Sequence, residues 1–286
     1  MRFILLSILL LMCLPSVAQD KPAYRIFSGE GKAIDYGKML KKINGAEVIL
    51  FGELHNNPIC HWLELQLTKD LFAQQPDLIL GMEMFEADDQ LILDEYLAGT
   101  IEEKHLRSEA KVWNNYDTDY RPLIEFAKQH QLHVIATNIP RRYANLVYRE
   151  GIQDLDSLSD TAKQWIAPLP IEVDLSLPGY KAMMEMMGGH GEANDTENLA
   201  KAQAVKDATM ANFMLSHRNG ILLHFNGTYH SQNYEGIVWY LKKARPDLEI
   251  TTIHTVEQDN IDALEEEHRN AADFIICVPA DMTKTH

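Results

Sequence analysis

The stretch VILFGELHNNPICH, Val48 to His61, decides the fold. Val48–Gly52 is apolar on both faces, the pattern of a strand covered on both sides rather than half solvated. Asn57 and Pro58 supply a cap and a first-turn proline for a helix over Ile59–Gln74. Between strand and helix lies Gly52-Glu53-Leu54-His55. The glycine is expected to take positive φ and turn the chain sharply after the strand. A buried strand passing through a short polar turn into a helix is the unit from which parallel α/β sheets are built.

Working outward, the same apolar run recurs at Leu78–Met82, Leu132–Thr137, Ile221–Phe225, Ile250–Thr255 and Phe274–Val278. Caps and helical spacing mark helices over Asp88–Leu97, Arg121–Gln131, Tyr143–Gly151, Asp195 to about His217, and Gln232–Ala244. The alternation predicts an α/β fold, an open and mostly parallel sheet flanked by helices, with right-handed crossovers. Residues from about 157 to 192 break it. They hold Pro168, Pro170 and Pro178, then Met183, Met184, Met186 and Met187, then Gly188-Gly189-His190-Gly191. This segment reads as a helical, Met-rich lid inserted in a single domain over 19–286. The tail after Pro279 reads as frayed.

The first eighteen residues read as a signal peptide. Arg2 is the positive n-region, Phe3 to Leu14 the apolar h-region, and Ser16-Val17-Ala18 the small-residue cleavage site. The apolar run is shorter than the ~20 residues of a membrane span. Export to the periplasm or cell surface is therefore expected. A lipid anchor at Cys13 would need a small residue at position 12, where Met12 stands. Cys60 and Cys277 read as buried free thiols, although export permits them to pair. The formal charge of −16 over 286 residues argues against nucleic-acid partners and against anionic membrane surfaces.

Ligands of open α/β sheets sit beyond the carboxyl ends of the strands. Four predicted strand ends deliver Glu53, His55, Glu83, Arg141 and His230 to that edge. Gly52 to His55 and Gly227 to His230 share the pattern Gly-x-x-His. Two imidazoles and two carboxylates suit proton transfer, or a divalent metal held by Glu53, His55 and His230. Any one of these residues alone reads equally as a loop or capping residue. His61 and Glu64 lie one helical turn apart, either bracing the Glu53 site or forming a surface pair. Trp113, Tyr116 and Tyr120 read as packing or as the rim of a pocket. There is no GxGxxG, P-loop, GxSxG or HExxH motif.

Gly-Glu-Leu-His-Asn-Asn-Pro-Ile-Cys-His (52–61), Leu-Gly-Met-Glu-Met-Phe-Glu (80–86), Ala-Thr-Asn-Ile-Pro-Arg (136–141) and Asn-Gly-Thr-Tyr-His (226–230) resemble the ChaN family of haem-binding proteins. That family belongs to the Tiki superfamily, with the erythromycin esterases and TraB-like proteins. The resemblance spans roughly residues 45 to 240. It implies haem binding, iron acquisition and a homodimer that sandwiches haem. It maps the superfamily's polar site onto Glu53, His55, Glu83 and His230, which in some members serves hydrolysis or metal-dependent proteolysis. Haem needs an apolar slot, an axial ligand and partners for its propionates. Met183 and Met187 offer the first, Tyr180 or His190 the second, and Arg141 with Arg142 the third. The Met stripe reads equally as core. Three functions follow from the sequence: an exported haem-binding protein, a Glu/His hydrolase, and a binding module with an inert site.

Overall fold

The computed structural model describes residues 21–187, 193–216 and 220–286. The expected signal peptide, Cys13 and the Gly188–Gly191 segment with His190 lie outside them. The sheet has eight strands: β1 (Arg25–Ser28), β2 (Ala33–Ile34), β3 (Val48–Glu53), β4 (Ile79–Glu86), β5 (His133–Asn138), β6 (Leu222–Gly227), β7 (Ile250–Gln258) and β8 (Phe274–Pro279). Their order is β2-β1-β8-β7-β3-β6-β4-β5. The six strands expected from the sequence pair in parallel, while β1 runs antiparallel to β2 and β8. The expected α/β class is the one observed. The edge pair β1–β2 escaped the sequence because four and two residues carry too little pattern to read.

Successive side chains of a strand face opposite layers. Ile49 and Phe51 pack with Leu63, Leu67 and Leu71 of helix α2 (Pro58–Gln74), while Val48 and Leu50 pack with Met210 and Met214 of the long helix Ala193–Ser216. That explains why β3 is buried along its whole length. Asn57 caps α2 by accepting from the Ile59 and Cys60 amides, as the Asn-Pro pair predicts. The remaining helices, in chain order, are α1 (Tyr36–Ile43), α3 (Gln90–Leu97), α4 (Glu103–Glu109), α5 (Arg121–His130), α6 (Arg141–Glu150), α7 (Asp160–Lys163), α8 (Pro178–Met187), α9 (Ala193–Ser216) and α10 (Ile237–Ala244). Among the described residues no helix is long and apolar enough to cross a membrane.

Three expectations change. The helix expected over Gln232–Ala244 starts at Ile237, because Asn233, Tyr234 and Gly236 all adopt positive φ. Such residues cannot continue a right-handed helix. The Met-rich insertion is only partly helical, with turns and irregular chain between α7 and α8, and α8 packs on α9 through Tyr180, Ala200 and Ala204. The tail is docked rather than frayed: Thr285 donates its amide to the Asn56 carbonyl and its hydroxyl to Asp119, and Lys284 pairs with Glu257. Cys60 and Cys277 are buried free thiols.

Candidate functional site

β6 is inserted between β3 and β4, although it follows both in sequence. The carboxyl ends of three strands therefore stand side by side. Glu53 is the last residue of β3, in register with Gly227 of β6. Glu83 lies within β4, not after it, where the register against β5 shifts beyond Met82. Such an irregularity re-aims a side chain. His230 ends the 3-10 turn Thr228–His230 that follows β6. Glu53, His55, Glu83 and His230 all line one cleft of about 970 Å3.

The glycines of the two Gly-x-x-His turns act differently from expectation. Gly227 has φ −54° and Gly52 is also outside the positive-φ region. What they provide is close approach. A Cβ on Gly227 would stand 2.7 Å from His55 Nε2, and one on Gly52 would stand 2.9 Å from the Ile253 carbonyl oxygen and from Thr228 Oγ1. The turns need the missing side chain, not the unusual dihedral.

On one side of the floor, acid and base alternate. His230 Nδ1 is 2.6 Å from Asp207 Oδ1, and Asp207 Oδ2 accepts from the Tyr180 hydroxyl at 2.7 Å. His230 Nε2 is 3.4 Å from Glu83 Oε1, and Glu83 Oε2 accepts from the Gly227 amide at 2.7 Å. Burial opposes the charge on both Glu83 and His230. The His230 cation and the donors around it outweigh burial and hold Glu83 well below the ordinary carboxylate range. Glu83 and Asp207 raise His230 to about 10. This side is an assembled chain of charges in which each offsets the next.

On the other side acids are in excess. Glu53 Oε1 is 2.5 Å from His55 Nδ1 and accepts from the Tyr120 hydroxyl at 2.7 Å. Beneath it, His61 Nδ1 is 3.1 Å from Glu64 Oε2 and 3.6 Å from Glu53 Oε2. His61 Nε2 is 3.1 Å from the His55 carbonyl oxygen and 3.4 Å from Asp119 Oδ2. Burial, with Glu64 beside it, pushes Glu53 up to about 8. Burial, with Asp119 adding to it, pushes Glu64 up to about 7. His61 and Glu64 are thus no surface pair; they are buried under the cleft floor.

The other expected site residues fall as follows. Met183 and Arg141 line the cleft. Tyr180, expected to present its oxygen to haem, is instead 3% exposed with its hydroxyl given to Asp207. A phenol turned into the α8–α9 seam is shut off from the cleft. The Met187 side chain and His190 are outside the described residues. Arg142 is tied to Asp88 and covers Tyr143. The metal set expected from Glu53, His55 and His230 is not gathered: among the described residues, the buried group of ligand atoms within 4.8 Å of one another is Glu53, His61 and Glu64. Each of the two expected histidines is drawn instead to its own carboxylate. Trp113 rims the cleft and sets its ring edge-on to His55 at 5.0 Å.

The sequence reading missed Asp207 and Asp119, and it took Tyr120 for packing or pocket rim where Tyr120 donates to Glu53. Asp207 carried a usable signal, for it interrupts the buried small-residue stripe Ala200, Ala204, Ala208 and Ala211 of α9. An acid inside an apolar stripe implies a buried base facing it. Asp119 and Tyr120 lie in an irregular π-helical turn, Tyr116–Tyr120, which has no pattern to read.

The haem-binding uptake family ChaN, of the Tiki superfamily, matches residues 39–241. The chain belongs to the ChaN family. Its fold is similar to that of Campylobacter jejuni ChaN, a structure of cofacial haem binding, with TM-score 0.70 and 17% identity over 90% of this chain and 97% of that one. A mutant erythromycin esterase in its open conformation is similar at TM-score 0.52 and 10% identity, over 90% of this chain and 98% of that one. A Bacillus cereus protein follows at TM-score 0.50 and 12% identity, over 85% and 90%. No curated protein matches this ChaN-family chain. At these identities the neighbours share its fold, and the family match carries the assignment.

Proposed function

We propose that this ChaN-family chain is an exported haem-binding protein of iron uptake, with haem as its cargo and the cleft as its seat. The observation that carries the reading is the cleft's division of labour. Met183, Leu199 and Ala202 supply a soft apolar wall, Arg141 and Lys206 supply cations, and His55 supplies an imidazole whose side chain is 39% exposed. An apolar slot, partners for two carboxylates and a nitrogen donor are what a haem requires. Glu53 engages Nδ1 of His55 and leaves Nε2 beside Gly227 on the cleft floor. A carboxylate behind an imidazole orients it as a ligand. A second copy of the chain closing over the open cleft completes the proposal, in the periplasm or at the cell surface. Titration of the purified protein with haem, followed in the Soret region, is expected to give a saturable shift that His55→Ala alters and Arg141→Ala weakens. Sedimentation with and without haem tests the homodimer. A Soret spectrum identical to that of free haem at stoichiometric protein would remove the reading.

One observation favours a second reading, hydrolysis. The Asp207–His230–Glu83 chain is a preorganised acid–base system at the cleft wall, able to hold or move a proton at His230 Nε2. Loss of ester or amide turnover in His230→Ala, with folding intact, would support it. Unchanged turnover would remove it.

A further inference from the structure

We propose that Glu53, His61 and Glu64 form a binding site for one divalent transition-metal ion beneath the cleft floor. The site is distinct from the cleft, where haem is proposed to sit, and shares only Glu53 with it. Four observations lead there.

The first is geometry. Ligand atoms about 2.1 Å from an ion stand about 3.0 to 3.4 Å apart at right or tetrahedral angles. His61 Nδ1 lies 3.1 Å from Glu64 Oε2 and 3.6 Å from Glu53 Oε2. The ligand atoms of all three residues lie within 4.8 Å of one another.

The second is the orphaned oxygens. Glu53 Oε2 and Glu64 Oε1 accept from no donor outside their own carboxyl pair, although Glu53 is 1% exposed and Glu64 is fully buried. Buried carboxylate oxygens without partners are rare in a folded chain. Here one of them is aimed at the same point as the imidazole.

The third is the histidine's tautomer. Nε2 of His61 has two acceptors before it, the His55 carbonyl oxygen and Asp119. Asp119 is itself held by Asn115, which also donates to the His55 carbonyl. The proton therefore belongs on Nε2, and Nδ1 turns its lone pair toward two carboxyl groups. Within the chain only the carboxyl protons of the raised Glu53 and Glu64 separate these acceptors, and a divalent cation at that point would displace those protons. A carboxylate and a carbonyl behind the ligating imidazole are the outer partners that metal sites use.

The fourth is access. Glu53 lines the cleft, so an ion enters along its carboxylate. One imidazole and two carboxylates suit zinc, manganese, iron(II) and cobalt(II). Held there, the ion fixes Glu53 Oε2 and leaves Oε1 to orient His55.

The test is titration of the metal-stripped full chain with cobalt(II), followed by its visible absorption and by metal analysis after dialysis. One equivalent is expected, with affinity lowered more than about a hundredfold by Glu64→Gln and by His61→Asn, beyond the loss of an outer partner. His230→Ala is expected to keep the ion. Circular dichroism checks the fold of each variant, and wild-type stoichiometry stands without any variant. No bound cobalt in the folded wild-type chain overturns the proposal. So does cobalt lost in His230→Ala and kept in Glu64→Gln, which places the ion in the cleft. Haem binding that persists without cobalt leaves the cleft reading intact while this one fails.

Discussion

Two buried polar clusters stand side by side at the carboxyl end of one sheet, and they follow opposite electrostatic rules. Around His230, one base lies between two acids, Asp207 and Glu83; the pairing holds Glu83 low and His230 high, although burial and the Glu83 charge push Asp207 up. Around His61, one imidazole faces Glu53, Glu64 and Asp119, and burial drives Glu53 and Glu64 toward their protonated forms. Both clusters are buried to the same extent, so burial does not separate them. Charge count does. A buried ion is tolerated when its partners are present. The first cluster sets one base between two acids, and the second sets three acids around the buried His61, with only the half-exposed His55 beyond them.

The comparison breaks most easily at Asp207. Replacing it with Asn keeps the shape but leaves the buried His230 charge with Glu83 alone, and it weakens the bond from Tyr180. Breaking a buried pair by removing one partner costs about 3–5 kcal/mol. Urea unfolding at neutral pH is expected to show a loss of that size. A loss below about 1 kcal/mol would mean that His230 is not held as a cation, and the contrast between the clusters would disappear.

A second break uses the other histidine of β6. His224 is fully buried between Thr137 and Asn226, and burial pulls it down to about 4. His230 lies six residues further on and is raised instead, so one strand end holds a neutral and a charged imidazole. The sign for His224 follows from its lowered value. Between about pH 6.5 and 4 the unfolded chain takes up a proton that the folded chain refuses, so stability falls as pH falls. The span is worth up to about 3 kcal/mol at 1.4 kcal/mol per unit. Unfolding measured from pH 7 to 4 is expected to show this decline in the wild-type chain and a shallower one in His224→Gln. Equal slopes in the two proteins would show His224 to be protonated in the fold.

How much of this was legible in the sequence depends on whether pattern or counting decides. The parallel strands were readable because burial on both faces writes a continuous apolar run, as in Val48–Gly52. The convergence of Glu53, His55, Glu83 and His230 on one cleft was readable from their places at or near strand ends, although β4 runs three residues past Glu83. Which carboxylate meets which imidazole was not. It depends on β6 entering between β3 and β4, and local sequence does not encode strand order. His61 and Glu64 were visible as a helix-face pair, but whether that face points outward or under Glu53 is set by the packing of α2. Asp207 could have been found as an acid in a small-residue stripe. Asp119 could not, because a π-turn has no period. Gly52 and Gly227 were noticed for the right turns with the wrong reason, since close approach leaves the same letter as an unusual φ.

A smaller effect sharpens the acid-rich side. Tyr120 donates to Glu53 Oε1, which His55 also contacts. Tyr120→Phe removes the hydroxyl and leaves the second partner in place. A loss of about 1 kcal/mol in urea unfolding is expected, the scale of one hydrogen bond. A loss as large as that of Asp207→Asn would indicate that Glu53 carries a full buried charge, against the raised value that burial gives it.

The smallest effect is the most telling about charge count. In the presence of a chelator, Glu64→Gln removes an acid from a cluster that has too many. The volume is kept, and a Gln amide can donate where Glu64 now faces His61 Nδ1 and the orphaned Glu53 Oε2. The change is expected to stay within about 1 kcal/mol of wild type, on the stabilising side, because an amide that always donates replaces a carboxyl that donates only when protonated. With a saturating divalent ion added, the order should reverse. The wild-type chain would gain the linkage stabilisation of a bound ligand, about 2.7 kcal/mol at a hundredfold excess over the dissociation constant, and the variant would gain none. Asp207→Asn should show no such reversal, because its cluster already holds its own cation. If the metal raised both variants equally, the two clusters would differ in composition alone, and the absent cation would not be the feature that separates them.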